Sequence, residues 1–274
     1  MTQSLSLTQE QRNQFVTDGL VRVPNVVPRA DVEVMADRLW SALATIHGVL
    51  RYRPETWTKP LCAHFGKMAR SGAFDEMMSP GLTGLLDDFF GLNGWDDRLP
   101  LPPSPLPVTF ARGHGAWSIP SQSWHLDLGR ATDAFQQAAK LWPDYVRVFA
   151  YLAPVAPGGG GTVYVAGSHR AVIGIMADMA REGDREFRSA AIVKRLKMES
   201  PWIAGLYSPS AGPERIARYM EKGAELRGTL LRVAEMTGQP GDVILWHPAL
   251  LHSLAPNCRD TPRLMLSATV YARS

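Results

Sequence analysis

Cysteine is scarce in this chain of 274 residues: Cys62 and Cys258 are the whole complement. Two thiols cannot build a disulfide framework and lack the paired spacing of a zinc knuckle, so a reducing compartment is expected. Long apolar runs are missing as well, since no uninterrupted stretch approaches the ~20 residues of a membrane-spanning helix. The opening residues, Met1 to Glu10, have neither a basic start nor an apolar segment, which argues against a signal peptide and for a cytoplasmic location. An excess of one charge is also lacking: 29 Lys and Arg stand against 26 Asp and Glu, a net +3, and no run of basic residues concentrates it. Neither a nucleic acid nor a membrane is therefore expected as partner. The absence of internal repeats removes solenoids and propellers.

What is present is enough apolar material for a sizeable core, 45% hydrophobic residues against 20% charged, so general disorder is excluded. Thr8 and Gln11 form a capping box for a short helix carrying Phe15, Val16 and Leu20 and closing near Gly19. A second helix starts after Pro28, repeats Val32, Met35, Leu39, Leu43 and Ile46 at steps of three and four, and stops at Gly48. Prolines break up residues 50–108 into loops with one or two short helices. Strands are expected over 106–112, 145–152, 162–166, 242–247 and 263–272, where β-branched and aromatic residues lie between Gly and Pro. Between about Ala171 and Gly238 the chain turns charged and helix-like, with Glu214 and Arg218 four apart. The order of strands, helical excursion and strands predicts one domain over 1–274, with a helical N-terminal part over about 1–50 and a helical insertion over about 171–238.

Three segments carry candidate chemistry. In Ser123-Trp124-His125-Leu126-Asp127, an extended backbone would put His125 and Asp127 on one face, an imidazole beside a carboxylate. A second imidazole from a distant strand would complete the two-histidine, one-carboxylate set that holds iron(II) on one side and leaves positions open. The segment Gly241-Asp242-Val243-Ile244-Leu245-Trp246-His247-Pro248-Ala249-Leu250-Leu251-His252 offers His247 and His252 for that role, and Arg263 follows. An arginine close to such a metal suits bidentate capture of a dicarboxylate. The glycine run Gly158 to Gly161 has no Lys-Ser/Thr pair behind it, so it reads as a tight turn into a strand, not a phosphate cradle.

Taken in order, Trp124-His125-x-Asp127, Gly160-Gly161-Thr162-Val163-Tyr164-Val165-Ala166-Gly167-Ser168-His169 and the block from Gly241 through His252 to Asn257 and Arg263 resemble the phytanoyl-CoA dioxygenase family of iron(II)- and 2-oxoglutarate-dependent oxygenases. The opening Gln14-Phe15 through Gly19-Leu20-Val21 is similar to the family's N-terminal helix and strand. The resemblance spans most of the chain and thins over 50–105 and 175–235. It implies an all-β core, a double-stranded β-helix (jelly roll, cupin-like) with the metal near one mouth. By their motifs, His125, Asp127 and His252 match the metal ligands and Arg263 the clamp for the far carboxylate of 2-oxoglutarate. The family often has a hydroxyl residue two places after the distal histidine, where this chain has Leu254, and Ser253 stands adjacent as a cosubstrate contact. The implied cofactors are Fe(II), 2-oxoglutarate as cosubstrate and O2, and the implied partner is a small-molecule substrate. Related halogenases have a small residue at the position of Asp127, so a carboxylate there points to hydroxylation of an unactivated C–H bond.

The remaining candidates have plainer readings. His47 and His64 read as surface or loop residues, His114 as a loop residue, His169 as a turn-fixing hydrogen bonder and His247 as a core imidazole. Trp117 and Trp124 suit a pocket wall or ordinary packing equally, and Arg112 suits a substrate anchor or a surface ion pair. A divalent-metal hydrolase or isomerase could use the same three ligands with metal-bound water, but it has no need of Arg263 as a dicarboxylate clamp. A barrel that binds a small molecule without turnover would gain nothing from the ligand set. The 171–238 insertion is read either as a lid over the mouth or as an outer helical layer.

Overall fold

Thr8 caps the helix Gln9–Asp18 through the expected box: its Oγ1 accepts from Gln11 N at 3.2 Å while the Gln11 side chain accepts from Thr8 N at 2.9 Å. In this computed structural model, which describes residues 5–96, 102–111, 116–128, 138–183, 188–209 and 212–273, the helix ends at Gly19. Leu20, expected on the helix, instead opens strand β1 (Leu20–Val23). The next helix, Arg29–Ala42, buries Val32, Met35 and Leu39, and Leu43 continues the stripe. Ile46 leaves it and is 52% exposed, because Leu43–His47 is a π-helical turn whose extra residue shifts the phase before Gly48 ends the segment.

Residues 50–108 hold short turns, the helix Pro80–Phe90 with Ser79 as its cap, and three two-residue strands: β2 (Leu61–Cys62), β3 (Ser104–Pro105) and β4 (Val108–Thr109). Of the strand expected over 106–112, only Val108–Thr109 is strand among the described residues, after Pro107, which has no N–H for a ladder; Ser104–Pro105 pairs separately with Met265–Tyr271. Longer strands follow: β5 (Tyr145–Tyr151), β6 (Thr162–Ala166), β7 (Ala224–Leu226), β8 (Thr229–Glu235), β9 (Val243–Trp246), β10 (His252–Leu254) and β11 (Met265–Tyr271).

They pair antiparallel into a large sheet ordered β1-β9-β5-β11-β3, a small sheet ordered β10-β6-β8-β7 and the ribbon β2-β4. The inner faces meet in a cluster of Leu20, Phe149, Tyr151, Tyr164, Ile244 and Trp246. Outside the large sheet, Val146, Val148, Leu245 and Leu266 pack on the helices 29–42 and 80–90. Outside the small sheet, Val163, Val165, Leu231 and Val233 pack on helices Ser168–Arg181, Ser189–Glu199 and Pro201–Leu206. The strands β5, β6 and β9 are covered on both faces, which is why they read as nearly continuous apolar runs. The result is the expected jelly roll with helical N-terminal part and insertion.

The insertion is shorter than expected. Helical structure ends at Lys222, and residues 224–235 form the hairpin β7–β8, with β8 paired to β6 inside the small sheet. Its turn is Arg227-Gly228, both at positive φ, and the alternation of buried Thr229, Leu231 and Val233 with exposed Leu230 and Arg232 marks a half-buried strand. Glu214 and Arg218 form no ion pair among the described residues; Arg218 lies over the Tyr219 ring. No helix among them is long and apolar enough to cross a membrane. Both cysteines are free thiols.

Candidate metal centre

The backbone of His125 is bridged to that of His252 at the edge of the small sheet, which brings together residues 127 positions apart in the chain. Each imidazole Nδ1 lies on the carbonyl of the residue two before it, His125 on Ser123 at 2.7 Å and His252 on Leu250 at 3.0 Å. A carbonyl only accepts, so both rings carry the proton on Nδ1 and present the Nε2 lone pair. Burial pushes His252 down to about 4, against the opposing pull of Asp127, so its ring is neutral near pH 7.

Asp127 completes the set. Oδ1 is 3.5 Å from His125 Nε2 and Oδ2 is 3.9 Å from His252 Nε2, and one donor atom from each of the three residues falls within 4.8 Å of the others. His125 and Asp127 do not lie in a regular strand; Ser123, at φ +62°, turns the backbone just before them. Two imidazoles and a carboxylate converging in this way make a donor set that suits iron(II).

Arg263 lies on the segment entering β11, only 2% exposed. Its Nη2 donates to Pro107 O at 2.6 Å, its backbone N–H donates to Thr109 O at 2.9 Å, and its Nε is buried without a partner. Burial lowers its pKa to about 10, which leaves it charged at neutral pH. The Tyr151 hydroxyl, buried and raised by burial, is also without a partner. A buried guanidinium without a carboxylate, beside an unsatisfied hydroxyl, fits an anionic ligand. Asn257 shapes this wall, donating to Thr109 O at 3.1 Å and Thr261 O at 2.9 Å. Gly160, at φ +76°, packs so closely that a Cβ would stand 2.7 Å from Thr109 Oγ1 and 2.8 Å from Asn257 Cβ. The glycine run is therefore both the expected turn and a place of close backbone approach.

Ser253, expected at the cosubstrate, is engaged elsewhere: neighbouring strand positions face opposite ways, and its Oγ donates to Gln122 O at 2.9 Å. His247 is the core imidazole expected, its Nε2 donating to Lys140 O and its Nδ1 accepting from Ala249 N, so neither nitrogen is free to ligate. His169 binds Val16 O and ties its helix to the N-terminal one. His47, read as a partnerless surface residue, hydrogen-bonds Ala63 O at 2.8 Å, while His64 is exposed. Trp124 is 4% exposed and Trp117 packs partly buried against the cluster beneath the insertion. Arg112 and His114 lie outside the described residues. Sequence reasoning missed Arg147, whose Nη2 sits 3.1 Å from Asp127 Oδ2; a lone arginine in an apolar strand was its signal.

The model of the phytanoyl-CoA dioxygenase family matches residues 15–265. The chain belongs to the phytanoyl-CoA dioxygenase family. As a member bearing the His125, Asp127 and His252 set, it is a 2-oxoglutarate-dependent non-haem iron enzyme. Among solved structures, HygX from Streptomyces hygroscopicus, with nickel and 2-oxoglutarate bound, is 20% identical, with 97% of this chain and 88% of that one covered at a TM-score of 0.55. The carbocyclase SnoK from nogalamycin biosynthesis is 15% identical, covering 97% and 84% at 0.52. The epimerase SnoN from the same biosynthesis is 15% identical, covering 96% and 80% at 0.51. These likenesses show a shared fold. Among curated proteins, none matches in sequence.

Proposed function

We propose that the chain hydroxylates an unactivated C–H bond of a small molecule, with His125, Asp127 and His252 as iron ligands and Arg263 as the clamp for the far carboxylate of 2-oxoglutarate. Iron with 2-oxoglutarate and O2 supplies the oxidising power, through oxidative decarboxylation to succinate and carbon dioxide. The protein holds the metal on one side, neutralises the dianion and keeps water away from the inter-sheet space. The single observation that carries the reading is Arg263, a charged guanidinium buried at the site without a carboxylate partner among the described residues. A hydrolase working through metal-bound water has no use for it. Asp127 supports hydroxylation over halogenation, because its carboxylate would take the place at the metal that a halide would need.

The substrate reading rests on the cleft of about 630 Å3 beside His125. One stripe of the helix Ser189–Glu199, with Ala190, Val193, Lys194, Lys197 and Met198, faces Trp124 and Leu126 across it. The walls are largely apolar, and among the described residues neither lysine pairs with a carboxylate; Lys197 lies 4.3 Å from the centre of the Tyr207 ring. This suits a molecule with an apolar body and an acidic group.

The test is anaerobic addition of Fe(II) and 2-oxoglutarate, with the visible charge-transfer band as readout, followed by a succinate-release screen of acidic and neutral apolar compounds. Products with one added oxygen, labelled from 18O2, support hydroxylation. Desaturated, cyclised or epimerised products would replace it with another oxidation, and the absence of the band would overturn the iron reading.

A further inference from the structure

Arg147 is the charged residue of the strand Tyr145-Val146-Arg147-Val148-Phe149-Ala150-Tyr151, and it points inward with Phe149 and Tyr151. In the sheet its position faces Thr269 on β11 and Trp246 on β9. The guanidinium is fixed on several sides: Nη1 donates to Thr269 Oγ1, Nη2 donates to Ser267 Oγ at 3.4 Å, and its carbon lies 5.6 Å from the Trp246 ring centre. Trp246 in turn packs on the His252 ring, 4.7 Å between centres. Nη2 also sits 3.1 Å from Asp127 Oδ2, the carboxylate oxygen nearer His252. Its Nε is buried without a partner among the described residues.

An ion pair with Asp127 explains part of this arrangement and leaves part unexplained. Once a divalent metal takes the Asp127 carboxylate, the pair's negative charge is shared with a stronger cation, and Arg147 becomes an excess positive charge at the metal. With Arg263 also buried and charged, the site then holds two guanidinium groups and a metal against a single carboxylate. That charge pattern suits a ligand that brings a carboxylate to each end. Both guanidinium groups keep a buried Nε without a partner among the described residues, and that of Arg147 belongs to the group that touches the Asp127 carboxylate.

Resting on the iron and 2-oxoglutarate reading above, we infer that Arg147 is a second anchor for the 2-oxo acid, binding the carboxylate that meets the metal while it holds the Asp127 oxygen nearer His252. Arg263 holds one end of the cosubstrate and Arg147 the other.

Calorimetric titration of the Ni(II)-saturated protein separates the two ends, using 2-oxoglutarate and pyruvate, which keeps the 2-oxo acid end and lacks the far carboxylate. In Arg147→Gln both ligands should bind at least tenfold more weakly, with Ni(II) affinity retained. In Arg263→Gln only 2-oxoglutarate should weaken, and pyruvate should bind as to the wild type. Arg147→Lys, which keeps a charge and one donor, should fall between wild type and Arg147→Gln and guards against a folding failure, checked by thermal melting. Unchanged binding of both ligands to Arg147→Gln overturns the inference. So does loss of Ni(II) itself in that variant, which would make Arg147 only a support for Asp127. If the wild type takes up no Ni(II), the metal reading fails before the arginine is tested.

Discussion

His125 and His252 exchange both backbone hydrogen bonds, His125 N to His252 O at 2.9 Å and His252 N to His125 O at 3.1 Å, so the ladder itself sets the two rings 4.2 Å apart. His247, five residues earlier on the same segment, spends both ring nitrogens on the protein. His252→Ala should therefore abolish Ni(II) or Fe(II) binding in calorimetry with little loss of fold. His247→Ala should keep the metal and lose about 2–4 kcal/mol of stability, because it opens a buried cavity and strands two hydrogen-bonding groups. The reverse pattern would exchange the roles of the two histidines.

Arg263→Lys keeps a charge but loses the planar fork. The affinity for 2-oxoglutarate should fall by more than tenfold, which corresponds to about 1.4 kcal/mol, at unchanged metal affinity. A variant that titrates like the wild type would show that another group holds the far carboxylate.

The cluster of His125, Asp127 and His252 was legible because each stands in a motif whose spacing survives folding: His125 and Asp127 two apart, His252 after an apolar strand. The jelly roll was legible from the ordered family motifs, and the strand expected over 242–247 is Val243–Trp246, buried throughout. Residues 224–235 were misread because Glu225, Arg227, Arg232 and Glu235 gave the segment a charged look. Glu225 and Arg232 fall on outward positions, Arg227 lies in the hairpin turn and Glu235 is half-buried, accepting from Gly158 N; the alternation with buried Leu226, Leu231 and Val233 was the better signal. Arg147 was passed over because its partner lies twenty positions back in the chain, and nothing in strand periodicity tells that an inward arginine meets a carboxylate.

His169 and His247 stack 5.0 Å apart in the core, and burial lowers them to about 3 and about 4 from an ordinary 6.5. Both are neutral in the native state and protonated in the unfolded chain over the interval between those values. The unfolded state then binds more protons, so stability rises with pH through this window and is lost as pH falls from 6.5 toward 4. Melting temperature should drop across that range, and His247→Asn should flatten the slope. A slope equally steep in the variant would assign the acid sensitivity to other groups.

Gly19 joins the first helix to β1 at φ +86°, and its carbonyl accepts from His247 N at 2.8 Å. A Cβ there would stand 2.6 Å from His169 Nδ1 and 2.8 Å from Leu250 Cδ1. Gly19→Ala therefore combines left-handed strain with overpacking and should cost about 2–4 kcal/mol in denaturant unfolding. Gly48→Ala, also left-handed but with open space around it, should cost less.

The insertion is tied down by Arg215, 2% exposed, whose guanidinium lies over the Tyr219 ring and whose hydrogen bonds among the described residues go to backbone carbonyls. Its Nε donates to Ile119 O at 3.1 Å, Nη1 to Ser208 O at 2.6 Å and Gly205 O at 3.3 Å, and Nη2 to Leu206 O at 2.9 Å and Pro120 O at 3.0 Å. One side chain thus caps the end of the helix Pro201–Leu206 and fixes the segment that leads into His125. The helices beneath it fill the outer face of the small sheet, which favours the outer-layer reading over a lid that swings as a unit. Arg215→Met should lose at least about 3 kcal/mol, as five carbonyls forfeit charge-assisted partners, and the melting temperature should fall by roughly 6–12 °C. Below the melting point, the variant should lose 2-oxoglutarate decarboxylation and product formation together, because the same tie positions His125. If decarboxylation persisted while product formation alone collapsed, at an unchanged melting temperature, the insertion would be acting as a lid.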